Sequence, residues 1–153
     1  MEFSILVGGE AGDGVKQAGV IIAKIFNELG YHVFVYDDYQ SLIRGGHNFS
    51  IIRVSDKKIL THKDHVDLII ALNQDTIERH SWRLKGEIIF DSDKAQGKGI
   101  GIPALSKAKE MGSHLLRNTI FIGAMCKYFG IDFSIVETII KNNFKKLQEE
   151  NIE

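Results

Sequence analysis

The chain has 153 residues, the length of one ordinary domain, and can bury roughly 68–70% of the surface its unfolded form exposes, so its core needs neither disulfides nor a structural metal. Lys and Arg number 19 against 20 Asp and Glu, and the basic doublets Lys57-Lys58 and Lys145-Lys146 are short, which excludes electrostatic capture by nucleic acid or an anionic membrane. One cysteine, Cys126, excludes an internal disulfide and an iron–sulfur cluster held by this chain alone.

The first residues lack the basic stretch and long apolar run of a signal peptide, and no apolar run approaches a membrane span, so a cytoplasmic protein is expected. Residues 3–7 are mostly apolar and end at Gly8-Gly9, predicting a buried strand. Val15, Ala18, Ile22, Ile25 and Leu29 recur in steps of three and four, one face of a helix, with Gly30 placed to end it. Residues 31–36 are β-branched and aromatic, a second strand. Strand, helix and strand predict a βαβ unit with parallel pairing. Residues 48–54 are strand-like, and after the turn at 55–58 residues 59–61 are expected to return beside them as an antiparallel hairpin.

Residues 66–72 are apolar apart from Asp67, like a central strand covered on both faces. Asn73 is placed to cap a helix reaching about Arg83. Residues 87–90 predict another strand, 96–103 a loop with three glycines and the only proline, and 104–111 a short helix. Residues 115–129 form an apolar, largely buried helix. Ser134 with Glu137 has capping-box spacing for a last helix striped by Val136, Ile140, Phe144 and Leu147. The expected architecture is a single α/β domain over residues 1–153: a mostly parallel open sheet with helices on both faces and a small antiparallel hairpin insertion.

Two stretches carry chemistry. Gly8-Gly9-Glu10-Ala11-Gly12-Asp13-Gly14 joins a buried strand to a helix N-terminus, where close backbone approach and unpaired N–H groups favour an anion. A tight turn alone needs only one or two glycines. A P-loop would need Lys directly after Gly14, where Val15 stands, and a dinucleotide fingerprint a third glycine where Gln17 stands; Asp37, about 20 residues on, is where an acid would grip a ribose. The second stretch is Leu42-Ile43-Arg44-Gly45-Gly46-His47. Arg44 is a permanent cation shaped for phosphate or carboxylate. Both stretches follow the carboxyl ends of strands, the edge where open sheets bind ligands.

Other polar residues read more blandly. His62-Lys63-Asp64-His65 lacks further ligands at metal spacing. His47 is a potential proton carrier with no triad nearby. Cys126 reads as inert core. Arg117 and Asn118 open the apolar helix, and Asn118 is expected to satisfy a buried backbone group or face a ligand.

Together these residues resemble the gamma-type domain of 2-oxoacid:ferredoxin oxidoreductases, the pyruvate/ketoisovalerate oxidoreductase domain. The stretches that carry the resemblance are Gly8-Gly9-Glu10-Ala11-Gly12-Asp13-Gly14-Val15, Tyr39 to Ser41 with Arg44-Gly45-Gly46-His47, Ala71-Leu72-Asn73-Gln74, and Arg117-Asn118-Thr119 with Gly123-Ala124. The Arg-Gly-Gly and Ala-Leu-Asn stretches are more similar to the 2-oxoglutarate and ketoisovalerate branch than to the pyruvate branch. The resemblance implies a subunit inactive alone, in a complex that decarboxylates a 2-oxoacid such as 2-oxoglutarate, 2-oxoisovalerate or pyruvate with coenzyme A and passes electrons to ferredoxin. Thiamine diphosphate, Mg and iron–sulfur clusters are implied in partner alpha, beta and ferredoxin-like delta subunits. Gly9, Gly12, Gly14, Arg44, Gly45, Gly46, Asn73 and Asn118 are the implied contacts of a coenzyme A cleft, and no residue is implied to be catalytic or to bind metal.

Two features depart from the family pattern. Asp13 stands where an uncharged polar residue is common, and its charge disfavours a phosphate nearby. The chain also stops soon after its last helix, which reads as a minimal split subunit or a missing terminal segment. Gly12-Asp13-Gly14 is similar to the thiamine diphosphate metal motif, but no asparagine pair closes it. The competing readings are a free-standing dinucleotide-binding module, motivated by Asp37, and a purely structural interaction domain.

Overall fold

The computed structural model describes residues 1–39 and 46–143. Six strands form one sheet: β1 (Glu2–Glu10), β2 (His32–Tyr39), β3 (His47–Ser55), β4 (Val66–Ala71), β5 (Leu84–Asp91) and β6 (Ile100–Ile102), in the spatial order β2-β3-β1-β4-β5-β6. β1, β4, β5 and β6 pair in parallel, and β3 is antiparallel to both β1 and β2. The helices are α1 (Val15–Glu28), α2 (Gln74–His80), α3 (Ala104–Glu110), α4 (Arg117–Phe129) and α5 (Phe133–Asn143).

The two faces are covered unequally. Phe3, Ile5 and Val7 of β1, Ile52 and Val54 of β3, and Leu68 and Ile70 of β4 join α1, α4 and α5 in the larger core. Leu6, Phe49, Ile51 and Ile69 point the other way and meet only Ile77 of α2, Ala95 and nearby side chains. This is the period-two alternation that puts successive strand residues on opposite faces. On the larger side, Phe3 and Phe26 meet edge-on at 5.1 Å and Phe3 stacks on Phe129 at 4.6 Å, geometry that adds to area burial. Asp67, the polar interruption in β4, sits at an irregularity in the β4–β5 register and accepts the Ser4 N–H at 2.8 Å.

Four expectations change. β1 and β2 run in the same direction but are not neighbours, because β3 enters between them, pairing Glu10 with His47 and Tyr39 with Asn48. The antiparallel partner of residues 48–54 is therefore β2 as well as β1, and residues 59–61 form no strand. His62 stacks on Tyr36 at 4.2 Å, so that segment lies over the sheet rather than extending it. The glycine-rich loop contains β6. Finally, α5 begins at Phe133, and Asp132 rather than Ser134 caps it, accepting the Ser134 N–H at 2.8 Å. Phe144 and Leu147 lie outside the described residues.

A candidate ligand edge at the carboxyl ends of the strands

The carboxyl ends of β1, β4 and β5 bring the singled-out residues together. The glycine turn leaves β1 and enters α1 through Gly14, whose φ of 75° is left-handed and whose added Cβ would meet Asn118 Nδ2 at 2.7 Å. A side chain at Gly14 is disfavoured on both counts. Gly12 also has positive φ, 100°, and nothing approaches its open side within 4 Å. Gly9 is buried, and a Cβ there would strike the Asp13 carboxylate and Leu72. Local packing thus accounts for Gly9 and Gly14, while Gly12 keeps open space above the turn.

The second glycine stretch reaches the first: Ala11 N–H donates to Gly46 O at 2.8 Å. Arg44 and Gly45 lie outside the described residues. Asn118 serves the same turn, donating from Nδ2 to Asp13 O at 2.7 Å. Asn73 caps α2: its Oδ1 accepts the Thr76 N–H at 3.0 Å and the Thr76 hydroxyl at 2.7 Å. Lys16, on the first turn of α1, has its ammonium 6.0 Å from the Tyr39 ring centre, which leaves a cation at the rim of the glycine turn. Among the described residues, the buried side-chain polar atoms without a hydrogen-bond partner are His47 Nδ1, Asn48 Oδ1 and Asn118 Oδ1. All three lie at this edge, and His47 Nδ1 faces the Asp75 carboxylate at 3.5 Å.

Two further clusters flank the edge. On the α4 side, Arg117 is 7% exposed and Asp91 is fully buried. Arg117 Nε donates to Asp91 Oδ2 at 2.5 Å, Nη1 to Asp13 Oδ1 at 3.3 Å, and Nη2 to Leu72 O. On the α2 side, Arg83 Nε donates to His80 Nδ1 at 3.2 Å. His80 therefore carries its proton on Nε2 and donates to His47 Nε2 at 2.7 Å. That leaves His47 protonated on Nδ1, facing Asp75 Oδ2 at 3.5 Å. Burial holds His80 down at about 4, helped by the nearby His47, Arg83 and Arg79. Burial also lowers His47, against the opposing charge of Asp75. Both rings are neutral at pH 7. Arg117 and His80 had no assigned role in the sequence; the signal was a charged residue opening an apolar helix, and an aspartate, Asp91, ending an apolar strand.

The other candidates are placed as follows. Asp13 turns inward, with Oδ2 accepting the Glu10 N–H at 2.8 Å and Oδ1 facing Arg117. Both oxygens are engaged beside a permanent cation, so Gly12-Asp13-Gly14 does not fit a thiamine diphosphate metal. Asp37 accepts from the Ser50 hydroxyl at 2.5 Å on edge strand β2, two inter-strand spacings, about 10 Å, from β1. A ribose acid must stand on the strand beside the glycine turn, so the insertion of β3 removes the basis of the dinucleotide reading. His62 Nε2 lies 3.9 Å from Asp64. Cys126 is buried in α4 and its thiol is pushed up to about 12 by burial.

A model of the family described as pyruvate ferredoxin/flavodoxin oxidoreductase matches residues 4–153. The chain belongs to that family. It is 31% identical to the 2-oxoglutarate synthase subunit KorC of Archaeoglobus fulgidus, over 97% of this chain and 82% of the relative. The gamma subunit of the keto/oxoacid ferredoxin oxidoreductase of Geobacter sulfurreducens superposes with a TM-score of 0.83 at 25% identity, over 98% of this chain and 92% of that one. The 2-oxoglutarate:ferredoxin oxidoreductase of Magnetococcus marinus, solved with 2-oxoglutarate, coenzyme A and succinyl-CoA bound, gives a TM-score of 0.87 at 24% identity, over 99% of this chain but 29% of that one. The same fold thus occurs as a separate subunit and as part of a longer chain. Among the described residues, no helix is long and apolar enough to cross a membrane.

Proposed function

We propose that this chain is the gamma subunit, or split gamma domain, of a 2-oxoacid:ferredoxin oxidoreductase, and that its ligand edge walls the coenzyme A cleft. The observation that carries the reading is the Ala11–Gly46 hydrogen bond, which joins the two glycine stretches above the carboxyl ends of the strands. Backbone N–H groups at the start of α1 and the Lys16 ammonium suit the phosphates of coenzyme A. The likeness to KorC favours 2-oxoglutarate among the 2-oxoacids, with 2-oxoisovalerate and pyruvate as alternatives. Thiamine diphosphate, Mg and the clusters belong to alpha, beta and delta partners in this reading, and the site of action is the cytoplasm.

The test is reconstitution. The chain alone should not oxidise any 2-oxoacid; with its sister subunits it should support reduction of ferredoxin that depends on both 2-oxoacid and coenzyme A. Arg44→Ala and Gly46→Val in the assembled enzyme should raise the KM for coenzyme A with little change in kcat. Turnover by the chain alone, or an unmoved KM in both variants, overturns the proposal.

A further inference from the structure

A carboxylate in a turn meant to face phosphate is a contradiction, because at short range it repels the ligand. The structure resolves this at Asp13. Oδ2 bends back to the Glu10 N–H and Oδ1 faces Arg117. Arg117 is itself fixed: it opens α4, whose Phe121, Ile122 and Met125 are in the core, and its Nε is held by the fully buried Asp91. A third bond runs from Nη2 to Leu72 O, just beyond β4. One guanidinium therefore joins the turn after β1 to the ends of β4 and β5, a use of its planar fork that a single ammonium cannot reproduce. The neighbouring Asn118 holds the same turn from Asp13 O.

We infer that Arg117 is a positioning residue for coenzyme A: by neutralising Asp13 and turning it inward, it makes the glycine turn present N–H groups rather than a carboxylate to the ligand's phosphates. This rests on the coenzyme A reading above. Its effect on the ligand runs through its contact with Asp13.

The test uses the assembled enzyme. In Arg117→Lys the single ammonium stays with the buried Asp91 and leaves Asp13 unpaired, so the KM for coenzyme A should rise about tenfold while kcat and the KM for the 2-oxoacid hold. Adding Asp13→Asn, which keeps an acceptor for Glu10, should return that KM to within about twofold of the wild type, the non-additivity expected of coupled residues. A residue that only holds the fold would lower the melting temperature and kcat, leave the KM for coenzyme A alone and show no rescue; that result overturns the inference. If Arg117→Lys does not assemble, Asp13→Asn alone decides. The inference expects its KM for coenzyme A at or below the wild-type value, and a rise with unchanged kcat defeats it. Raised KM values in Arg44→Ala and Gly46→Val beside an unmoved Arg117→Lys remove this inference only; unmoved values in those two variants remove the coenzyme A reading beneath it.

Discussion

The ligand edge is held from its two sides by different chemistry. On the α4 side a permanent cation, Arg117, bridges Asp91 and Asp13. On the α2 side two neutral imidazoles, His47 and His80, share one hydrogen bond, flanked by Arg83 and Asp75. Both clusters fasten a segment at the carboxyl ends of the strands to a neighbouring element. The first is built on a permanent cation. The second exists only while both rings stay neutral. One junction rests on a permanent cation and the other on two titratable rings.

The largest effect that probes this contrast is Arg117→Met. It strands Asp91 as a buried charge without its partner and should cost about 3–5 kcal/mol in urea unfolding at pH 7. A loss under about 1 kcal/mol would show that the arginine does not carry the junction. Acid tests the other side. His80 is held at about 4 against an ordinary 6.5, so the fold favours its neutral form. The stability this contributes is complete above about pH 6.5, is lost as pH falls toward 4, and amounts to about 3 kcal/mol. Unfolding midpoints between pH 7.5 and 4 should follow that course, and His80→Asn should flatten it; a wild-type curve without the decline would mean that the imidazole pair is not closed. Asp75, Arg79, Arg83 and Asp38 are the charges that act on these rings.

Smaller still is Asn73→Ala, which removes the cap of α2 and should cost about 1 kcal/mol, read as a shift in melting temperature. Because α2 also carries His80, the loss should displace the acid limb as a whole without changing its shape. The smallest effect expected is at Asp37→Asn, an exposed position on edge strand β2: a stability change within about 0.5 kcal/mol. Its thermal shift with nicotinamide nucleotides should match that of the unmutated chain. A shift present in the latter and lost in the variant would restore the dinucleotide reading.

Much of this was legible in the sequence because it is local. The stripe from Val15 to Leu29 gave α1, Asn73 gave the cap of α2, and the two glycine stretches gave the edge where they meet. The place of β3 was not legible. Residues 48–54 are plainly a strand, but which strands it joins depends on pairings with β1 and β2 that no turn signal encodes. β6 was hidden because three residues among glycines carry no periodicity. The arginine junction escaped for a related reason: Asp13, Asp91 and Arg117 are 104 and 26 residues apart in their pairings, so only the folded sheet brings them together. Arg44 and Gly45 lie outside the described residues.

The chain's one tryptophan, Trp82, is 61% exposed, with the Arg83 guanidinium 4.3 Å from its ring centre. The same guanidinium donates to His80 Nδ1. A proton arriving on that nitrogen removes the acceptor and sets two cations against each other, which shifts charge beside an indole whose emission depends on its surroundings. If the His80–Arg83 contact opens in acid, Trp82 emission should shift over the same pH range in which unfolding midpoints decline, a label-free reading of the α2 side of the ligand edge.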